Sequence, residues 1–176
     1  MADNDHQSGI TADEALQRLI NGNERFCNGE ARSYVVQPED LADLTKGQRP
    51  YATILGCSDS RVTPELIFDA GLGELFVVRV AGNVISPEIA GSLQYAGAHL
   101  KTPLFVVLGH EGCGAVQAAM ETKYRNIQQR SRIQILVESL LPALPEFDPQ
   151  LSPQTMLAKA VESNVRWTLR QIMESP

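Results

Sequence analysis

The chain has 176 residues, with 15 Lys and Arg against 21 Asp and Glu for a formal charge of -6; that length predicts one domain, residues 1–176, able to bury a core without staples. The acidic balance argues against a nucleic-acid or membrane-surface partner, which would need a basic face, and favours a small solute. With no export pattern at its start and no run near the ~20 apolar residues of a membrane span, a soluble, cytoplasmic protein is expected, whose odd cysteine count (Cys27, Cys57, Cys113) favours thiolate chemistry over pairing.

Residues 1–10 read as a disordered leader. Thr11 followed by Glu14 is a capping-box pattern, and Ala15, Leu16, Leu19, Ile20, Asn23 and Phe26 recur at helical spacing until Gly29. The predicted helix packs on its own domain or serves as an arm on a second subunit. Residues 11–50 are this arm plus a polar connector, with a short helix expected around Pro38 to Leu44. Residues 51–176 are the core. Tyr51 to Cys57 is a strand-length apolar run, Pro64 to Asp69 a helical turn, and Glu74 to Val80 a second strand. A helix over about Pro87 to His99 precedes a third strand, Pro103 to Leu108, apolar enough to be covered on both faces. After Cys113 the pattern is helical: Ala115 to Thr122, then Ile133 to Leu144, then Leu157, Val161, Val165, Leu169 and Ile172. Strands alternating with helices predict an α/β fold, a parallel β-sheet core flanked by helices with an N-terminal helical arm.

Cys57, Asp59, His110 and Cys113 form a candidate Zn²⁺ site at the ends of the first and third strands. Alternation along an extended segment would put Cys57, Asp59 and Arg61 on one face, and one helical turn would join His110 to Cys113. A cysteine after a strand is also often just a small apolar residue. Two such clusters at equivalent strand ends favour a metal.

The segments Cys57-Ser58-Asp59-Ser60-Arg61 and Gly109-His110-x-x-Cys113-Gly114 resemble the two zinc motifs of the β-class carbonic anhydrases. Gly22-Asn23-x-Arg25-Phe26, Phe68-Asp69 and Arg79-Val80-Ala81-Gly82-Asn83 match as well. The resemblance implies Zn²⁺ on Cys57, His110 and Cys113, with Asp59 either a fourth ligand in a closed form or paired to Arg61 in an open one. It implies that Asp59 and Arg61 act in catalysis, that Gln48 and Gly114 meet the substrate, and that the protein is a homodimer or higher homo-oligomer. The implied activity is reversible CO₂ hydration by a zinc-bound hydroxide, biased to alkaline pH by two thiolates on the metal. A carbon disulfide or carbonyl sulfide hydrolase, or a non-catalytic subunit whose zinc Asp59 closes, are the alternatives. Some bacterial members carry a tryptophan of an inhibitory bicarbonate site where this chain has Ile54, so that regulation is not expected. The family also continues into C-terminal strands past the last helix, whereas this sequence stops at Pro176. Three parallel strands, with Pro103 to Leu108 at an edge under a helix or neighbouring chain, and a looser oligomer are expected in consequence.

Overall fold

The computed structural model describes residues 9–32, 34 and 37–175, so the expected leader falls, for residues 1–8, outside the described residues. The helices are α1 (Ala12–Asn28), α2 (Pro38–Leu44), α3 (Pro64–Ile67), α4 (Pro87–Tyr95), α5 (Gly114–Arg125), α6 (Arg132–Leu140) and α7 (Pro153–Glu174). Three parallel strands, β1 (Ala52–Gly56), β2 (Leu75–Arg79) and β3 (Phe105–Leu108), form a sheet in the order β2-β1-β3. The order makes β1 central, and all five of its residues are buried. It also leaves β3 at an edge, as expected. Burial of β3 on both faces is not found: Phe105 is 36% exposed and the rest of the strand half-buried. An apolar run records what a strand can bury, and position in the sheet decides what it does bury.

Two compact units emerge. One comprises the described residues up to Ile54 with Thr63–Val78 and Gly91–Val106; the other comprises Leu55–Val62, Arg79–Ala90 and the chain from Val107. In the first, the capping box is complete: Glu14 N–H donates to Thr11 Oγ1 at 3.2 Å and Thr11 N–H to Glu14 Oε2 at 2.7 Å. Gly29 ends α1 in the left-handed conformation with φ 74°. Ala15, Leu19 and Gly22 are buried, and the last of these explains the Gly22-Asn23-x-Arg25 pattern. A Cβ on Gly22 would stand 1.9 Å from the Phe68 carbonyl oxygen, so only glycine lets α1 come this close to the end of α3. Asn23 Nδ2 then donates to the Ile67 carbonyl at 2.9 Å, and Arg25 Nε to Asp69 at 2.5 Å.

Asp69 is 3% exposed. Burial works to raise its carboxyl, but hydrogen bonds from Arg25 and from the Arg32 backbone and side chain outweigh it, so the group sits below its ordinary value. A depressed carboxyl contributes stability that is present above about pH 4 and is lost as pH falls through the folded value. Asp69→Asn is therefore expected to lower stability by about 1–3 kcal/mol at neutral pH and to flatten the fall in stability on acidification. Urea midpoints at neutral and acid pH check this; parallel acid dependence in the two proteins would rule Asp69 out as its source.

The helix expected over Pro87 to His99 is α-helical only to Tyr95, and a wider π turn, Ala96–Leu100, carries it to a left-handed cap at Lys101 with φ 55°. His99 is exposed beside the Tyr95 ring, 5.0 Å between centroids. In the second unit Val116, Val137 and Leu140 are at most 1% exposed and pack with Ala160 of α7 around the Cys57 and Cys113 side chains. Each of the large ones contributes about 1.5–3 kcal/mol by leaving water, so the two thiols are seated in the wall of a core.

Candidate metal centre

β1 ends at Gly56 and hands the chain to Cys57; β3 ends at Leu108, two residues before His110. The side chains of Cys57, His110 and Cys113 converge, their donor atoms all within 4.8 Å of one another. Neither join has the geometry expected from spacing. Extended alternation stops after Asp59, where a turn begins: Asp59 Oδ1 accepts the Arg61 N–H at 3.0 Å, and Val62 N–H donates to the Asp59 carbonyl at 3.3 Å. A short polar side chain bonding two residues ahead competes with extended backbone and wins here. Likewise no helical turn joins His110 to Cys113. Gly112, at φ 65°, reverses the chain so that Cys113 arrives as the residue capping α5.

His110 Nδ1 lies 3.0 Å from the Glu111 carbonyl oxygen. A carbonyl can only accept, so the proton is on Nδ1 and the Nε2 lone pair faces the two sulfurs. That nitrogen is buried without a hydrogen-bond partner. A buried acceptor left unpaired costs about 1–3 kcal/mol, and a cation at the cluster removes the cost. The Cys57 sulfur accepts the Gly82 N–H at 3.3 Å. Burial pushes the Cys113 thiol above its ordinary value; the N–H groups of Val116 and Ala115 work the other way, and the Cys57 sulfur adds to the rise. A divalent ion at the cluster would favour the thiolate form of both buried sulfurs. Two thiolates with one imidazole lone pair are a donor set for Zn²⁺ that leaves a fourth position for a non-protein ligand.

Asp59 stands beside this cluster, its Oδ2 3.8 Å from His110 Nε2. Both its oxygens are engaged by Arg61, Nε to Oδ1 at 2.9 Å and Nη2 to Oδ2 at 2.8 Å. The two-pronged guanidinium, with the Arg61 backbone N–H, holds the carboxyl well below the usual carboxylate range. The carboxylate therefore caps the turn and pairs with arginine at once. Gly114 opens α5, and nothing lies within 4 Å of where a Cβ would stand on it. Cys57, Asp59, Arg61, His110, Cys113 and Gly114 all belong to the second unit. Gln48 belongs to the first, where it lines a cavity of about 850 Å³ with Arg18, Arg49 and His99.

Three contributors were not assigned a role from the sequence. Arg79 donates through Nε to the Cys57 carbonyl at 2.9 Å and through Nη2 to the Asp59 carbonyl at 2.6 Å, clamping the turn that presents both side chains. Asn164 and Thr168 of α7 bond the Gly82–Asn83 backbone. The apolar residues Leu157, Val161, Val165 and Leu169, whose spacing marked this helix, are half-buried or exposed, with Leu169 44% exposed; the fully buried face is Met156, Ala160, Asn164, Thr168. A run at i, i+4 ending in two polar residues was the available signal, masked by the larger side chains one position along.

Together the parallel sheet and the sulfur–imidazole cluster at its strand ends define an α/β protein built to hold zinc. The family model described as "Carbonic anhydrase" matches residues 52–176. The chain belongs to the β-class carbonic anhydrase family. It is 44% identical over 130 residues to "Carbonic anhydrase 2" of Mycobacterium tuberculosis and 43% identical over 130 to the carbonic anhydrase of Mycolicibacterium smegmatis, each alignment covering 74% of this chain. The matched stretch spans 63% of the length of either relative. Among solved structures it is similar to the β-carbonic anhydrase CcaA (TM-score 0.68, 26% identity, 93% of this chain and 75% of that one). A Coccomyxa β-carbonic anhydrase in complex with acetazolamide is similar to the same degree (TM-score 0.68, 26% identity, 92% and 72%). Among the described residues no helix is long and apolar enough to cross a membrane.

Proposed function

We propose that this protein catalyses the reversible, zinc-dependent hydration of CO₂ to bicarbonate and a proton, working as one domain. The observation that carries the proposal is a three-donor cluster with an ionised carboxylate beside it that Arg61 keeps occupied. The shared family and the relatives named carbonic anhydrase support the substrate. Cys57 Sγ, His110 Nε2 and Cys113 Sγ would hold the zinc, which when bound supplies a Lewis acid that makes water acidic enough to attack CO₂, at a more alkaline pH than an all-imidazole donor set would.

The chain's own residues supply the rest. Asp59, charged and fixed by Arg61, accepts a hydrogen bond from the attacking water and orients its lone pair. Arg61 prevents Asp59 from becoming a fourth ligand, a closed form that remains accessible when the pair opens. The backbone at Gly114 leaves room for a small linear substrate. Arg79 keeps Cys57 and Asp59 in register through their carbonyls. We place the protein in the cytoplasm, where Cys27, Cys57 and Cys113 stay reduced. We further take it to be a homo-oligomer, as the exposed Leu16, Ile20 and Phe26 along α1 suggest.

Stopped-flow CO₂ hydration by zinc-replete and chelator-stripped protein tests the reading. Zinc-dependent acceleration is expected, without comparable turnover of carbonyl sulfide or carbon disulfide. Fully zinc-loaded protein that hydrates no CO₂ would overturn it, and turnover of the sulfur gases in that sample would reassign the substrate.

A further inference from the structure

We infer that Asn164 and Thr168 of α7 are positioning residues for the metal centre: they hold the Ala81–Asn83 turn so that the Gly82 N–H stays on the Cys57 sulfur, and so set how tightly the site holds zinc. The inference rests on the zinc reading above. Gly82 and Asn83 are both left-handed, with φ 68° and 44°, a conformation that needs holding in place. A Cβ on Gly82 would meet Ala115 and Leu140 at 3.2 Å, so the turn is also tightly enclosed.

What holds it comes from α7. Asn164 Nδ2 donates to the Gly82 carbonyl at 2.8 Å, Thr168 Oγ1 donates to the Asn83 carbonyl at 3.1 Å, and Asn83 Nδ2 donates back to Thr168 Oγ1 at 3.4 Å. The Gly82 carbonyl can only accept, which fixes the orientation of the Asn164 amide. Asn83, Asn164 and Thr168 are 2%, 1% and 1% exposed. Burying an amide and a hydroxyl on the inner face of a helix is unfavourable unless they are bonded, and Asn164 Oδ1 has no partner at all. A helix required only to pack would carry apolar residues there, as it does one and two turns earlier at Ala160 and Met156. The polar pair is explained by what its bonds hold, since Gly82, whose carbonyl Asn164 binds, donates its own N–H, in the preceding peptide, to the Cys57 sulfur. Groups that hydrogen-bond a metal ligand directly change metal affinity by about 10- to 100-fold when removed, and Asn164 and Thr168 act one bond further out, through the Gly82–Asn83 backbone.

Asn164→Leu, Thr168→Val and Thr168→Ser test this by two measurements: competition for Zn²⁺ against a chromophoric chelator, and the thiolate-to-metal absorption bands of the Co²⁺-loaded protein. Asn164→Leu and Thr168→Val should each weaken zinc binding by more than about twofold and up to about 10-fold, the low end for a direct partner of the ligand, and shift the cobalt bands, while Thr168→Ser, which keeps the hydroxyl, should match the parent. Affinity within about twofold of the parent and unmoved bands in both, whatever happens to thermal stability, would overturn the inference and leave the zinc reading intact. If Asn164→Leu does not fold, the Thr168→Val and Thr168→Ser pair decides alone. A parent protein that takes up neither metal would overturn the zinc reading, and the inference with it.

Discussion

Cys57→Ser, His110→Ala and Cys113→Ser are each expected to lose zinc and CO₂ hydration together. Each removes one of three donors that the fold brings within 4.8 Å, and a site left with two protein ligands no longer retains the ion at ordinary free concentrations. Because the acceleration depends on the metal's Lewis acidity, nearly all of it should vanish, roughly 10⁶-fold for an enzyme at the modest end of the usual range. The three variants should differ in stability. The cysteines are 5% and 2% exposed in the core of the second unit, so serine buries a hydroxyl there, whereas His110→Ala leaves a void beside the half-buried Asp59. Metal analysis after dialysis, alongside stopped-flow hydration, checks the set. Any one of the three that keeps a full equivalent of zinc removes that residue from the ligand list.

Arg61→Ala should give the second largest effect, and by a different route. With the Arg61 guanidinium gone, Asp59 Oδ2 loses its partner and Oδ1 keeps only the residue-61 backbone N–H, while His110 Nε2 lies 3.8 Å from Oδ2. The carboxyl, now held down by Arg61, would rise toward its ordinary value, near 4, and so remain ionised at neutral pH and free to close the fourth position. The sign follows from the depressed value: the Asp59–Arg61 pair is lost only as pH falls below the usual carboxylate range, so it persists throughout the neutral and alkaline range. Zinc content should thus stay full, or its retention improve, while hydration falls by about 10²- to 10⁴-fold. Azide should no longer reach the metal. Asp59→Ala should keep zinc and lose activity but retain azide binding, and the double variant should recover azide binding relative to Arg61→Ala. Unchanged azide affinity in Arg61→Ala would show that Arg61 does not hold the position open.

The residues that name the site were readable because their signals are local. Thr11 with Glu14, and Gly29, mark the ends of α1 through contacts within three or four residues, and each strand announced itself by a short apolar run. Cys57, Asp59, His110 and Cys113 could be chosen because thiols, imidazoles and carboxylates seldom gather by chance at two strand ends. The route by which they meet was not readable. An Asx-type turn at Asp59 and a left-handed Gly112 replaced the extended run and helical turn that spacing suggested, since turn geometry depends on hydrogen bonds that alternation cannot register. Tertiary structure alone decided that β1 rather than β3 is the covered strand, because strand order is set by pairing between distant segments. It alone decided that Asn164 and Thr168 face inward, because their partners, Gly82 and Asn83, lie more than eighty residues earlier in the chain. A polar side chain on a helix reads as solvated until a backbone carbonyl across the interior is there to receive it.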